Sequence, residues 1–167
     1  MNDCFIFSGQ GSHRPEMGLQ LYKHSILAKD KIDLSNQILG YNISDIMFND
    51  NESILRQTNH AQVAIYIYSC IIFDIIKNTD HIPAVVAGHS LGEFSALYAN
   101  NTYTFETGLK IVDIRAKAMH KCEKNTEGKM SAVIGMSKEK ISDICKGTDT
   151  QVANINSDQQ VVISGSA

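Results

Sequence analysis

The chain opens on a short apolar run, Cys4–Phe7, which stops at Ser8-Gly9-Gln10-Gly11-Ser12. That pattern predicts a buried strand running into a loop. From Met17 to Leu39 apolar residues recur at weakly helical spacing, and Gly40 stands where such helices would stop. Residues 43–48 and 52–56 read as short helical turns. The most apolar stretch, residues 61–76, predicts a core helix that continues to Lys77; Gln62, Ser69 and Asp74 interrupt it, and it reads as too short to cross a bilayer. Pro83 then introduces Ala84-Val85-Val86-Ala87, which ends at Gly88 and suits a strand buried on both faces. Residues 91–99 continue as helix. Phe105, Leu109, Val112, Ala116 and Met119 fall on one stripe, which predicts a helix over 105–121.

The pattern changes at residues 123–128, which read as a polar linker. Beyond it, 129–135 predicts a strand and 137–146 a helix with Ser137 at its N-cap. Residues 151–155 and 160–164 predict two further strands, with Asn156-Ser157-Asp158 turning between them. This is β-α-β-β, a βαββαβ unit that stops after its third strand. The expected organisation is a larger domain over residues 1–127 and the first part of a smaller one over 128–167. No internal repeat or low-complexity tract is found.

Composition narrows the function classes. Of 167 residues 43% are hydrophobic and 20% charged, within the globular range. The net charge is −3 and the lysines are scattered, which leaves no basic patch for a phosphate backbone and argues against nucleic-acid binding. Cys4, Cys70, Cys122 and Cys145 form no CxxC or Cys/His ligand cluster, so neither a zinc site nor a disulfide framework is expected; Cys4 and Cys70 read as small core residues. No signal peptide or membrane span is read, and the expected compartment is the cytoplasm. Only three arginines occur, Arg14, Arg56 and Arg115, which draws attention to Arg115 on its largely apolar stripe.

Gly88-His89-Ser90-Leu91-Gly92 is the pattern G-x-S-x-G between a predicted strand and a predicted helix, the context of a nucleophile elbow. A sharp strand-to-helix turn crowds the positions two before and two after the serine, and glycine relieves both. The Ser90 hydroxyl then stands above a helix N-terminus that favours developing negative charge. The plainer alternative is a chance pair of glycines around a buried serine. Ser8-Gly9-Gln10-Gly11-Ser12 would let a backbone N–H face inward at close range. It lacks the lysine of a Walker loop and the third glycine of a dinucleotide fingerprint, and on its own it reads as a plain turn.

Five blocks appear in order: residues 5–12 (FIFSGQGS), 88–97 (GHSLGEFSAL), 115–119 (RAKAM), 128–135 (GKMSAVIG) and 152–157 with 161–165 (VANINS, VVISG). Together they resemble malonyl-CoA:acyl-carrier-protein transacylases and the trans-acting acyltransferases of polyketide synthases. The resemblance implies an α/β fold, a parallel-sheet, hydrolase-like large domain with an inserted ferredoxin-like subdomain that is truncated here. It implies that Ser90 is the acyl-accepting nucleophile and that the backbone N–H groups of Gln10 and Leu91 form the oxyanion hole. Arg115 matches the arginine that clamps the free carboxylate of a malonyl group, against the alternative of a snorkelling surface side chain. His89 would shape the pocket. Asn154 and Asn156 match family asparagines with a structural or pantetheine-contacting role. No cofactor or metal is implied: malonyl-CoA is the thioester substrate and an acyl carrier protein the partner. The remaining histidines read as solvated or structural.

Three departures stand out. Ser8 replaces the proline common in fatty-acid enzymes, and Asn59-His60 replaces the usual Gln-Pro. The family's catalytic histidine belongs to the C-terminal half, and no matching segment precedes Ala167. Transfer of malonyl to a carrier protein is therefore weighed against a serine acyl hydrolase of the thioesterase or editing type, and against a non-catalytic truncated fragment. The 167 residues alone are expected to be inactive.

Overall fold

The structure, a computed structural model, describes residues 3–49, 52–79, 81–125 and 127–166. Chain order is β1 (Cys4–Phe7), α1 (Leu19–His24), α2 (Ile26–Leu39), α3 (Ile43–Met47), α4 (Glu52–Leu55), α5 (Thr58–Lys77), β2 (Val85–Gly88), α6 (Gly92–Ala99), α7 (Phe105–Asn125), β3 (Gly128–Ile134), α8 (Lys138–Cys145), β4 (Thr150–Ser157) and β5 (Gln160–Ser166). Two compact units result, the first ending at His120 and the second starting at Lys121, so the division falls within α7.

In the first unit α5 is the core helix. Ala61 to Ile67, Cys70, Ile71 and Phe73 are all buried, so apolar residues lie on every side of its first half. It packs against α2, α3, α4 and α6. α2 is capped by Ser25, whose side chain accepts from the Ala28 N–H, and ends at Gly40 in the left-handed region, φ 73°. The Tyr66 ring stacks on Phe105 at 5.7 Å, and its hydroxyl donates to the Phe105 carbonyl. Gly108 leaves room for this pair, since a Cβ there would lie 2.0 Å from the Tyr66 hydroxyl. Lys31 pairs with Asp74, and Tyr98 donates to both carboxylate oxygens at 2.8 and 2.9 Å. A partly buried charge is thereby compensated where α2, α5 and α6 meet.

β1 and β2 pair in parallel, with Phe7 opposite Gly88, and α6 packs against both. In the second unit the sheet order is β3-β5-β4, antiparallel throughout. α8 packs against β4, capped by Ser137, whose hydroxyl accepts from the Lys140 N–H as expected. The α/β class with one parallel and one antiparallel sheet is the expected one.

Several expectations are corrected. β2 is not buried on both faces: Val86 packs on the cluster of Phe7, Phe73, Ala96 and Ala99, while Val85 on the opposite face is 58% exposed. Cys4 is exposed rather than core, since β1 alternates and only Phe7 is fully buried. α5 is 20 residues long and has the length and hydropathy to cross a membrane, but most of it is buried among the other helices, so the reading as a core helix holds and the argument from shortness does not. Helix α7 runs through Glu123, Lys124 and Asn125, where a linker is expected from the sequence; Glu and Lys are good helix formers, so their polarity alone does not end it. Met119 leaves the buried stripe and is 39% exposed. β4 extends through Asn156 and Ser157, absorbing irregularities in its register, so the turn falls on Asp158 and Gln159.

Candidate active site

The turn from β2 into α6 is built by backbone contact. His89 N–H donates to the Phe7 carbonyl at 3.1 Å, extending the strand pair by one residue, and Gly92 N–H returns to the His89 carbonyl at 2.9 Å. Between them Ser90 sits at φ 54°, a left-handed conformation that costs a non-glycine residue roughly 1–2 kcal/mol. The flanking glycines make this possible. A Cβ on Gly88 would lie 2.1 Å from the Gly92 carbonyl carbon, and one on Gly92 would lie 2.1 Å from the Phe7 carbonyl oxygen. Ser90 itself is exposed, at the start of α6.

The loop after β1 lies against this turn. A Cβ on Gly9 would meet the His89 carbonyl oxygen at 2.6 Å and its ring Nδ1 at 2.8 Å. Ser12 Oγ closes the loop by donating to the Gly9 carbonyl. Neither the Gln10 nor the Leu91 backbone N–H donates to any described residue.

Arg115, from α7, reaches the Ser90 hydroxyl. Its Nη2 donates to Ser90 Oγ at 3.2 Å, its Nη1 donates to Gln62 Oε1, and its guanidinium lies 5.6 Å from the Phe94 ring centroid. Arginine carries no acceptor, so the oxygen of the Gln62 amide must face it. The Gln62 nitrogen then donates to Gln10 Oε1 at 3.3 Å and to Met119 Sδ at 3.3 Å, and Gln10 Nε2 donates to Thr58 Oγ1 at 3.0 Å. One cation orients two amides in series.

The structure thus brings Ser90, Leu91, Gln10, His89 and Arg115 together in the first unit. Asn154 and Asn156 lie exposed on β4 in the second, with Asn156 donating to Gln160 across the hairpin. His89 supports Gly9 and makes no hydrogen bond to Ser90. His60 is half-buried, between the Asn59 amide and an edge-on Tyr41 ring, and burial together with the neighbouring His120 lowers its pKa against an opposing pull from Asp113. Gln62, Thr58 and Phe94 were not anticipated as site residues. The signal for Gln62 was present: a carboxamide inside the long apolar run over 61–76, where it is fully buried.

Comparison with known proteins turns this geometry into a lineage. The profile of the acyl transferase domain family matches residues 4–167. The chain belongs to the acyl transferase domain family. It is 35% identical over 165 residues to the polyketide biosynthesis malonyl CoA-acyl carrier protein transacylase PksC of Bacillus subtilis, covering 96% of this chain and 55% of that protein. It is 36% identical over 166 residues to the malonyl CoA-acyl carrier protein transacylase of Synechocystis sp., covering 99% of this chain and 55% of the relative. The crystal structure of the Synechocystis malonyl-CoA:ACP transacylase superposes with a TM-score of 0.90 at 34% identity, over all of this chain and 56% of that one. A malonyl-transacylase solved in complex with a type II polyketide synthase acyl-carrier protein also gives 0.90, at 29% identity. The chain spans about half the length of these acyl transferase domain relatives, and 14% and 21% of two larger polyketide biosynthesis proteins.

Proposed function

We propose that this acyl transferase domain moves malonyl from coenzyme A to the phosphopantetheine thiol of an acyl carrier protein through a Ser90 ester, in the cytoplasm and without a cofactor. The observation that carries the reading is the hydrogen bond from Arg115 Nη2 to Ser90 Oγ. In a malonyl ester on Ser90 the thioester-derived carbonyl carbon and the carboxylate carbon are about 2.5 Å apart, across two carbon–carbon bonds. A guanidinium already at the serine oxygen is therefore within reach of that carboxylate and can hold it through parallel N–H donors.

In the first half-reaction Ser90 Oγ attacks the thioester carbonyl, losing its proton to a base, and the tetrahedral oxyanion accepts from the Gln10 and Leu91 N–H groups. The carbon–sulfur bond then breaks and coenzyme A leaves with the proton. In the second, the carrier thiol repeats these steps in reverse and frees the serine. No described histidine hydrogen-bonds Ser90 Oγ; the family resemblance assigns the base to the half of the relatives that this stretch does not cover. A hydrolase of neutral acyl chains would have no use for a cation at its nucleophile.

The test is Arg115→Ala in the full-length protein. Losing a charge-assisted pair should lower kcat/KM for malonyl-CoA about 30- to 100-fold, while acetyl-CoA gains relative to it. Equal losses for both substrates would overturn the clamp.

A further inference from the structure

The ring of Phe94 faces Arg115 from a different helix. Its centroid lies 5.6 Å from the central carbon of the guanidinium. Phe94 is the third residue of α6, four positions after Ser90, and is half-buried against the main core cluster. Both sides of its backbone are tied down. Its N–H donates to the Leu91 carbonyl at 3.0 Å, and its carbonyl accepts from the Tyr103 hydroxyl at 2.6 Å. The first bond joins Phe94 to the elbow, and the second joins it to the turn that leads into α7, the helix carrying Arg115. The ring is therefore mounted on the same few residues that present the Ser90 hydroxyl.

We infer that Phe94 is a positioning residue whose ring holds the Arg115 guanidinium where an acyl carboxylate meets it, and so raises the preference for malonyl over neutral acyl groups. This role rests on the malonyl reading above. An aromatic ring attracts a guanidinium through the negative potential over its π-face, and it takes up none of the N–H donors. Nη1 already donates to Gln62 and Nη2 to Ser90 Oγ. A further hydrogen-bonding brace in the place of the ring would compete with the substrate carboxylate for what remains; a ring does not compete. An unrestrained arginine samples many rotamers, and holding it in place before substrate arrives removes that ordering cost from binding. A leucine would fill much of the same space without the π-potential, so packing and attraction can be separated.

The experiment compares wild type, Phe94→Leu, Phe94→Tyr, Arg115→Ala and the double variant Phe94→Leu/Arg115→Ala in the full-length protein. A parallel series replaces Phe94 by phenylalanines carrying one, two or three ring fluorines. kcat and KM are measured for malonyl-CoA and acetyl-CoA, and malonate protection of Ser90 against a fluorophosphonate label gives a second readout without turnover. Phe94→Leu should lower the malonyl-to-acetyl ratio of kcat/KM about 5-fold, chiefly through a higher KM for malonyl-CoA, and weaken protection by malonate. Phe94→Tyr keeps the ring and should hold the ratio within about twofold of wild type. Ring fluorines draw charge from the π-face with little change of shape, so the ratio should fall stepwise with their number. That series reads the contact even where Phe94→Leu fails to fold. In the Arg115→Ala background Phe94→Leu should leave the ratio unchanged. A ratio that stays level across the fluorine series overturns the inference, as does an equal effect of Phe94→Leu with and without Arg115; the Arg115 reading then stands if Arg115→Ala collapses the ratio. If Arg115→Ala leaves the ratio untouched, the malonyl reading fails and the role of Phe94 with it.

Discussion

At the elbow, Gly88 and Gly92 are each pressed by main chain: a Cβ on the first would sit 2.1 Å from the carbonyl carbon of the second, and a Cβ on the second 2.1 Å from the Phe7 carbonyl oxygen. In the loop over residues 8–12 the two glycines differ from these and from each other. Gly9 faces the carbonyl and ring of His89, whereas Gly11 has nothing within 4 Å of its would-be Cβ and is held to glycine by its φ of 104°. Three demands therefore lie behind similar letters: main chain against main chain, main chain against a neighbouring segment with a movable ring, and dihedral angle alone. They predict a graded set of costs.

The largest effect belongs to the elbow. Neither Gly88→Ala nor Gly92→Ala has a flexible side chain to push aside, so β2 and α6 must part in the first and the end of β1 and α6 in the second. Each should destabilise the protein by about 3 kcal/mol or more and abolish fluorophosphonate labelling of Ser90. Denaturant midpoints and labelling stoichiometry check this. A variant that labels normally would show that the turn opens more easily than its contacts imply.

Gly9→Ala comes next. The His89 ring can rotate away, but its carbonyl is fixed by the Gly92 N–H, so a cost of about 1–3 kcal/mol is expected. Gly11→Ala should cost about 1 kcal/mol from dihedral strain alone. Equal losses at Gly9 and Gly11 would break the distinction between contact and conformation.

The same difference explains what could be read from the letters. The elbow is legible because its motif is local: Gly88, Ser90 and Gly92 lie within one turn, between a β-branched run and a helix, although what presses on Gly92 is the Phe7 carbonyl of β1. The loop after β1 reads as a plain turn, because what makes Gly9 necessary is His89, far along the chain. Arg115 was noticed as a rare cation on an apolar stripe, yet its direction depended on Gln62, which contributes to a different helix. The second strand was read as fully buried because Ala84-Val85-Val86-Ala87 has the right residues, but burial depends on how many layers cover it. Likewise, Cys4 looked like core by composition while strand alternation turns it outward. Local sterics are written in the sequence, and contacts between distant segments are not.

The smallest effect concerns the side of the loop that leans on α5. Gln10 is held by Thr58, and His60 lies two residues further along the same helix start. His60 faces the Asn59 amide, which donates to its Nε2 at 3.0 Å, the edge-on Tyr41 ring, and the charges of Asp113 and His120. Burial and His120 hold its pKa below the ordinary 6.5, with Asp113 opposing. Burial chiefly, and Asp113 as well, push the Tyr41 hydroxyl up to about 12, so that neighbour stays neutral throughout. The sign follows from proton uptake. Below pH 6.5 the unfolded chain binds a proton at this histidine that the folded chain refuses until its own lower pKa is reached, so stability falls as pH falls through that window. Protonation would also set an N–H on Nε2 against the Asn59 donor. Wild type should therefore lose more thermal stability between pH 7 and pH 5 than His60→Gln, which keeps a polar side chain there but cannot titrate. The elbow glycines should not alter that difference, because none of their contacts involves His60. Melting temperatures across that range, for wild type and His60→Gln side by side, decide it: parallel curves would show that acid acts elsewhere, and convergence toward low pH would assign the loss to His60.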